Sequence, residues 1–417
     1  MNRWARLIAA VIAMIMIANL QYAWTLFVKP IMGATGWKLS EVQWGFTFFI
    51  AFETWMMPLA GWLMDRFGPR KFISFAAVLC GFGWAGLGHA TTLHELYILY
   101  SITGMGAALV YCGSTNIGLK WFADRRGLAS GLIAAGFGSG AALFVFLIAH
   151  LIRVESYRTA FLYTGIAQGL VILCAAQFLK NPEPGEAHIA DHKAASRSKL
   201  RRHAEHFTSL EMLRTPQFYL MYAIMLLMGI GGLMVTAQAG AVADTLGIGK
   251  VVLALALTIN PLANGGGRIF WGWVSDHAGR ERTMIVAFLI QALALVSVLR
   301  FGRHSPVGFI VCLALVYFTW GEIYSLFPAT SADFFGARNA TSNYGFLYSS
   351  KGVASILGGG LAALLFEKTG AWTVVFYGSA ALALLAAIMA YGLFEMPLPT
   401  EHHSTSTART AADSVAH

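Results

Sequence analysis

The chain is punctuated by apolar runs long enough to cross a lipid bilayer, and this most restricts what it can fold into. Runs lie near 7–28, 42–64, 72–90, 95–119, 128–152 and 159–179. After a polar interval they resume near 217–241, 250–274, 283–301, 306–329, 343–366 and 371–394. A helix crosses the hydrocarbon core with about 20 apolar residues. It is the only open-chain form that satisfies its own backbone there. Only 12% of the 417 residues are charged, against about a quarter in soluble domains, so no water-facing shell of this size can be built. A soluble enzyme, a disulfide-built secreted domain and a disordered chain are excluded. The pattern predicts an all-α membrane protein with twelve transmembrane helices. Arg3 and Arg6 precede a first run that continues to Val28, too long for the core of a signal peptide, so it reads as the first span.

The net charge of +9 would suggest nucleic acid in a soluble protein; in a membrane chain it is a statement about sidedness, and no nucleic-acid partner is expected. With both termini on one side, 19 Lys and Arg lie in the loops of that side and 8 in those of the other. The positive-inside rule then places both termini in the cytoplasm. The organisation read from these boundaries is an N-terminal six-helix bundle over 1–179, a cytoplasmic linker over 180–216, a C-terminal six-helix bundle over 217–395 and a disordered cytoplasmic tail over 396–417. The linker, with Pro182, Pro184 and the basic run 193–202, reads as a solvated tether near anionic lipid. Cys80, Cys112, Cys174 and Cys312 fall inside apolar runs without metal or redox spacing, so they read as packing residues. No metal site, no cofactor and no enzymatic nucleophile–base pair is expected.

An internal repeat links the two halves. Gly61, Trp62, Asp65 and Gly68 recur 211 residues later as Gly272, Trp273, Asp276 and Gly279, and Lys71 is matched by Arg282. Two homologous six-helix units follow, so the bundles are expected to be pseudo-symmetric. Each segment is a tight loop in which glycine allows close approach and Asp can accept bonds from a helix N-terminus. The pattern G-x-x-x-D-R-x-G-x-R-K, carried by Gly61, Asp65, Arg66, Gly68, Arg70 and Lys71, resembles the loop motif of the major facilitator superfamily. A gating role is the expectation for these residues and for Gly272, Asp276, Gly279 and Arg282.

Four ionisable side chains fall within spans: Glu53, Arg268, Glu322 and Lys351. Each costs about 2.5–3.5 kcal/mol at the bilayer centre and needs a partner or an aqueous cavity. Internal pairing of each cation with one Glu is one arrangement; an anion-facing cavity is the other. On a helix Trp320 and Tyr324 share a face, while Glu322 lies about 200° from Trp320, so either the aromatic face or the Glu face lines a cavity. Tyr344, Tyr348, Lys351 and Ser355 form one stripe, and Asn260, Asn264 and Arg268 another. The first half offers Gln21, Tyr22, Thr25, Gln43 and Tyr111 and no cation. A neutral, donor-rich wall facing a cationic one suits a small carboxylate, which Arg binds bidentately and Lys as a point charge.

The runs Gln21–Leu26, Lys120–Gly131, Met212–Phe218 and Thr319–Pro328, and Asn343–Phe346 followed by Lys351, resemble the oxalate/formate antiporter family. The resemblance implies anion-binding roles for Arg268 and Lys351, and binding-site aromatics and amides at Gln21, Tyr22, Gln43, Tyr111, Trp320 and Tyr324. It implies a tyrosine where Phe137 stands and uncharged residues where Glu53 and Glu322 stand. The function it implies is exchange of oxalate for formate by alternating access, in a carrier of a bacterial plasma membrane functional as a monomer. A proton-coupled monocarboxylate transporter of the lactate or pyruvate type, with Glu322 or Glu53 carrying the proton, is the alternative.

Overall fold

The computed structural model describes residues 2–37, 39–183, 206–302, 305–357 and 362–399. The tail from residue 400 and the linker stretch 184–205 lie outside the described residues. Each apolar run forms a helix or a broken pair. In the first half these are α1 (Arg3–Tyr22) with α2 (Trp24–Thr35), α3 (Leu39–Trp55) with α4 (Met57–Phe67), α5 (Pro69–Leu87), α6 (Leu93–Trp121), α7 (Arg126–Val154) and α8 (Tyr157–Ala176). A short helix α9 (Ser209–Met212) precedes α10 (Pro216–Thr245), α11 (Lys250–Ala278), α12 (Arg280–Phe301), α13 (Pro306–Trp320), α14 (Ile323–Phe335), α15 (Ala340–Ser355), α16 (Ala362–Thr369) and α17 (Trp372–Glu395).

Among the described residues, eight helices are long and apolar enough to cross a membrane, and the pair Trp44–Trp55 and Met57–Phe67, bent by 41°, makes a ninth. Helices α5, α11 and α15 are outside that set, α15 being only 16 residues long. The polar side chains Asn260, Asn264 and Arg268 of α11 are all buried, so what hydropathy counts against that helix is turned into the protein. Side-chain caps start the helices where backbone N–H groups would otherwise lack partners. Thr92 and Glu95 form a reciprocal capping box on α6, Ser156 caps α8, and Ser305 caps α13 with Pro306 at its first turn.

Arg3 and Pro397, near the two ends of the described residues, lie at one end of the molecule, here called the terminal face. Arg3 pairs with Asp124 at 2.7 Å in the loop after α6, and the Gln217 amide donates to the Pro397 carbonyl at 2.9 Å. Residues 206–215, expected to belong to a solvated tether, instead dock on this face. The Phe207 side chain is buried, its N–H donates to the Phe335 carbonyl at 2.9 Å, and Asn339 and Asn343 donate to its carbonyl. An aromatic side chain beside two amides gains more by packing than by hydration.

The halves meet along two helix pairs, α7 with α11 and α4 with α15, and glycine permits the approach. A Cβ on Gly61 would stand 2.5 Å from the Thr341 carbonyl oxygen and one on Gly345 2.6 Å from that of Met57. On the other side of the pseudo-symmetry axis, Gly272 faces Gly127 and Gly131 faces the Arg268 carbonyl, both too close for a side chain.

Candidate functional site

Above these contacts, away from the terminal face, a cavity lies between the halves. It is lined by Gln21 and Tyr22 of α1, Phe137 of α7, Leu233 and Thr236 of α10, Arg268 of α11, Trp320 and Tyr324 around the α13–α14 break, and Tyr348 and Lys351 of α15. Seven of the residues singled out in the sequence therefore share one space. Tyr111 stands behind the wall, packed on Tyr348 and Phe137 at ring distances of 5.0 and 5.6 Å. Gln43 lies on α3, but its side chain is outside the described residues.

Arg268 is held in a fixed orientation. Its Nε donates to Asn264 Oδ1 at 3.0 Å, one turn earlier, and its Nη1 to the Ala134 carbonyl at 2.7 Å. Its guanidinium lies 4.4 Å from the Tyr324 ring centre, a cation–π contact. Among the described residues no carboxylate pairs with it. Two of its five N–H donors are thus spent on orientation, and the remainder face Tyr22 and the cavity. Two further polar groups on the lining, the Trp320 indole N–H and the Gln21 amide oxygen, are buried and have no hydrogen-bond partner among the described residues.

Lys351 is arranged differently. Its Nζ lies 3.3 and 3.4 Å from the two oxygens of Glu53 and donates to the Tyr348 hydroxyl at 2.9 Å; Tyr348 in turn reaches Glu53 at 3.4 Å. Internal pairing therefore describes Lys351, and not Arg268. Glu322 is fully buried at the break between α13 and α14, is not part of the lining, and among the described residues neither of its oxygens has a hydrogen-bond partner. Trp320 lines the cavity and Glu322 does not, and the helix is interrupted between them. The α10 contribution had no sequence signal of charge or aromaticity. Leu233 and Thr236 line the cavity, and Gly232 lies flat against the Trp320 indole, where any side chain would collide with the ring.

The repeated loop motifs sit at the terminal face and act across the halves. Asp65 accepts from the Ser342 N–H at 2.8 Å and pairs with Lys120 at 2.9 Å. Asp276 accepts from the N–H groups of Gly127 and Leu128 at 3.0 and 2.8 Å and pairs with Arg280 at 2.6 Å. Asp333 ties Arg126 and Arg280 together at 2.7 and 2.9 Å. Gly68 and Gly279 turn the chain at φ 82° and 100°, a region glycine alone enters without strain. Arg66 stacks on Trp62 and Phe67, Arg70 bonds Gln177, and Arg282 lies over Phe394.

Two helical bundles closed against each other at one end, with a charged cavity between them, define a membrane carrier of the alternating-access kind. The family model described as Major Facilitator Superfamily matches residues 7–238 and again 220–416. The fold is shared with a solved structure of the proton:xylose symporter XylE bound to 6-bromo-6-deoxy-D-glucose, at a TM-score of 0.73 over 94% of this chain and 95% of that one, with 15% identity. The chain is 37% identical to the oxalate:formate antiporter of Oxalobacter formigenes over 93% of its length and 91% of the relative's. A more distant relative, monocarboxylate transporter 13 of Bos taurus, is 23% identical over 83% of this chain and 78% of that one. The chain belongs to the Major Facilitator Superfamily and, within it, to the oxalate/formate antiporter family. It is an integral membrane protein of twelve spans in two pseudo-symmetric bundles.

Proposed function

We propose that this protein exchanges small carboxylates, oxalate for formate, by alternating access. The observation that carries the reading is Arg268, fixed by Asn264 and by the Ala134 carbonyl, open to a cavity that also holds Lys351 and the Trp320 indole N–H, which has no partner among the described residues. A carboxylate takes bidentate bonds from the guanidinium, a further bond from the indole, and close packing from Tyr22, Tyr324 and Tyr348. Lys351 holds the second carboxylate of a dianion. An empty cavity leaves the Arg268 charge uncompensated, which disfavours a closed, dehydrated state. A bound anion lowers the cost of closure by its differential affinity, so the loaded carrier crosses and the empty one does not. The loop charges support termini and linker in the cytoplasm of a bacterial plasma membrane, and one chain contains a whole cavity, so the working unit is the monomer. The 37% identity to a relative named for oxalate and formate, against 23% for one named for monocarboxylates, favours exchange over proton-coupled monocarboxylate uptake.

Counterflow in proteoliposomes tests this. Labelled oxalate is expected to accumulate only when formate or oxalate is preloaded, and to stop in Arg268→Gln. Uptake of lactate driven by a pH gradient with no internal anion overturns it.

A further inference from the structure

We propose that Glu53 is the resident counter-carboxylate of the site, occupying Lys351 and determining whether the cavity accepts one carboxylate or two. The inference deepens the carboxylate-exchange reading and rests on it. Glu53 on α3 and Lys351 on α15 come from opposite halves and are both buried. The Glu53 carboxylate is chemically the same group as half a dicarboxylate substrate, and from just outside the cavity lining it occupies the Lys351 ammonium that such a half would need. With Glu53 ionised, its charge and that of Lys351 cancel, and the cavity presents the single charge of Arg268. That site fits a monoanion.

The contact is also built to be broken. Its N···O separations of 3.3 and 3.4 Å exceed the 2.7–2.9 Å of strong charge-assisted bonds, whereas Tyr348 stands at 2.9 Å from the same Nζ. An arriving carboxylate can approach Lys351 more closely than Glu53 does while keeping Tyr348. The displaced Glu53 carboxylate then has no cation, and a buried unpaired charge is costly. It is relieved by one proton taken from the aqueous side. The charged or titratable groups close enough to act on Glu53 are Lys351 and Tyr348 of α15, Tyr22 of α1, Tyr100 and Tyr111 of α6 and Tyr324 of α14, with Arg268 of α11 acting on Lys351. Among the described residues they include no second carboxyl and no histidine. Proton uptake on binding a dianion therefore falls to Glu53, and a monoanion held by Arg268 takes up none.

The test is counterflow of labelled oxalate and labelled formate by the full-length protein in proteoliposomes, from mildly acidic to mildly alkaline pH, with oxalate a dianion throughout. In the wild type the half-saturating oxalate concentration is expected to rise with pH, by at most about tenfold per unit for one proton, while that of formate stays flat. Glu53→Gln is expected to flatten the oxalate profile and to raise the oxalate-to-formate preference by about tenfold or more; Glu53→Asp keeps the slope. An unchanged preference and slope in Glu53→Gln overturns the proposal. A second measurement needs no variant: proton uptake on adding oxalate to the detergent-solubilised wild type, read with a pH dye, is expected near one per oxalate, and zero overturns the proposal. Failure of the wild type to accumulate either anion, with preloading, overturns the exchange reading and this inference together.

Discussion

Asp65 and Asp276, separated by 211 residues, perform the same operation in opposite directions: each accepts backbone N–H groups at the start of a helix in the other half. Asp65 of α4 holds Ser342 of α15, and Asp276 of α11 holds Gly127 and Leu128 of α7. A carboxylate at a helix N-terminus is favoured by the helix dipole, and bonds to a charged acceptor contribute about 1.5–3 kcal/mol each. These two caps, with the Asp333 pair, close the terminal face.

Asp276→Asn is therefore expected to loosen that closure without unfolding the chain, since Asn keeps the shape and loses the charge. Thr341, buried at the α4–α15 contact, reports on it when replaced by cysteine. Alkylation of Thr341→Cys by a polar maleimide is expected to be about tenfold faster in the Asp276→Asn background, the effect of about 1.4 kcal/mol on the opening equilibrium. An equal rate would show that the cap is not part of the closure.

The two cations are predicted to differ in what their loss does to stability. Lys351→Gln strands the buried Glu53 carboxylate, at a cost of about 3–5 kcal/mol. Arg268→Gln strands no carboxylate; it loses two hydrogen bonds from a charged group, about 1.5–3 kcal/mol each, and this loss is offset because an unpaired buried guanidinium, itself costly by several kcal/mol, is removed. Thermal unfolding in detergent is expected to fall most in Lys351→Gln and to recover in Glu53→Gln/Lys351→Gln. Recovery of stability without recovery of exchange separates the ion pair's structural part from the anion-binding part of Lys351. No recovery in the double variant would count against the pairing.

The span positions, the repeat and both cavity cations are legible in the sequence because each breaks a local rule. A lysine in an apolar run, or a D-x-x-G loop recurring at a fixed offset, is conspicuous without any fold. The pairing of Lys351 with Glu53 is not legible, since it depends on the approach of helices nearly 300 residues apart. The phase argument separated Glu322 from Trp320 but could not reveal that Glu322 lies at a helix break. The α10 wall is silent for another reason: Gly232, Leu233 and Thr236 are ordinary residues for any membrane helix, and only the facing indole gives Gly232 its role.

Gly232 yields a prediction that sequence pattern does not suggest. Its backbone supports the Trp320 ring with no room for a side chain, so Gly232→Val must push the indole across the cavity wall. Anion-induced thermal stabilisation is expected to weaken, corresponding to about a tenfold loss of affinity. Thr236→Val, on the same helix face and nearly isosteric, is expected to leave the indole in place and to cost less. Equal losses in both would mean that the α10 surface contributes directly and that the Trp320 position is not what Gly232 protects.

Glu322 provides the discriminating prediction between exchange and proton-coupled uptake. It is buried, sits outside the cavity lining and makes no hydrogen bond through either oxygen among the described residues. A proton carrier for the substrate needs a path to the cavity, and Trp320 and Tyr324 line that cavity whereas Glu322 does not. Glu322→Gln is nearly isosteric and exchanges an unbonded carboxyl for an amide. Exchange in counterflow is therefore expected to continue within about twofold of the wild type, a change of less than about 0.5 kcal/mol, and the pH profile is expected to keep its shape. Loss of pH-gradient-driven uptake in this variant, with exchange spared, would instead make Glu322 the coupling group and favour the symporter reading.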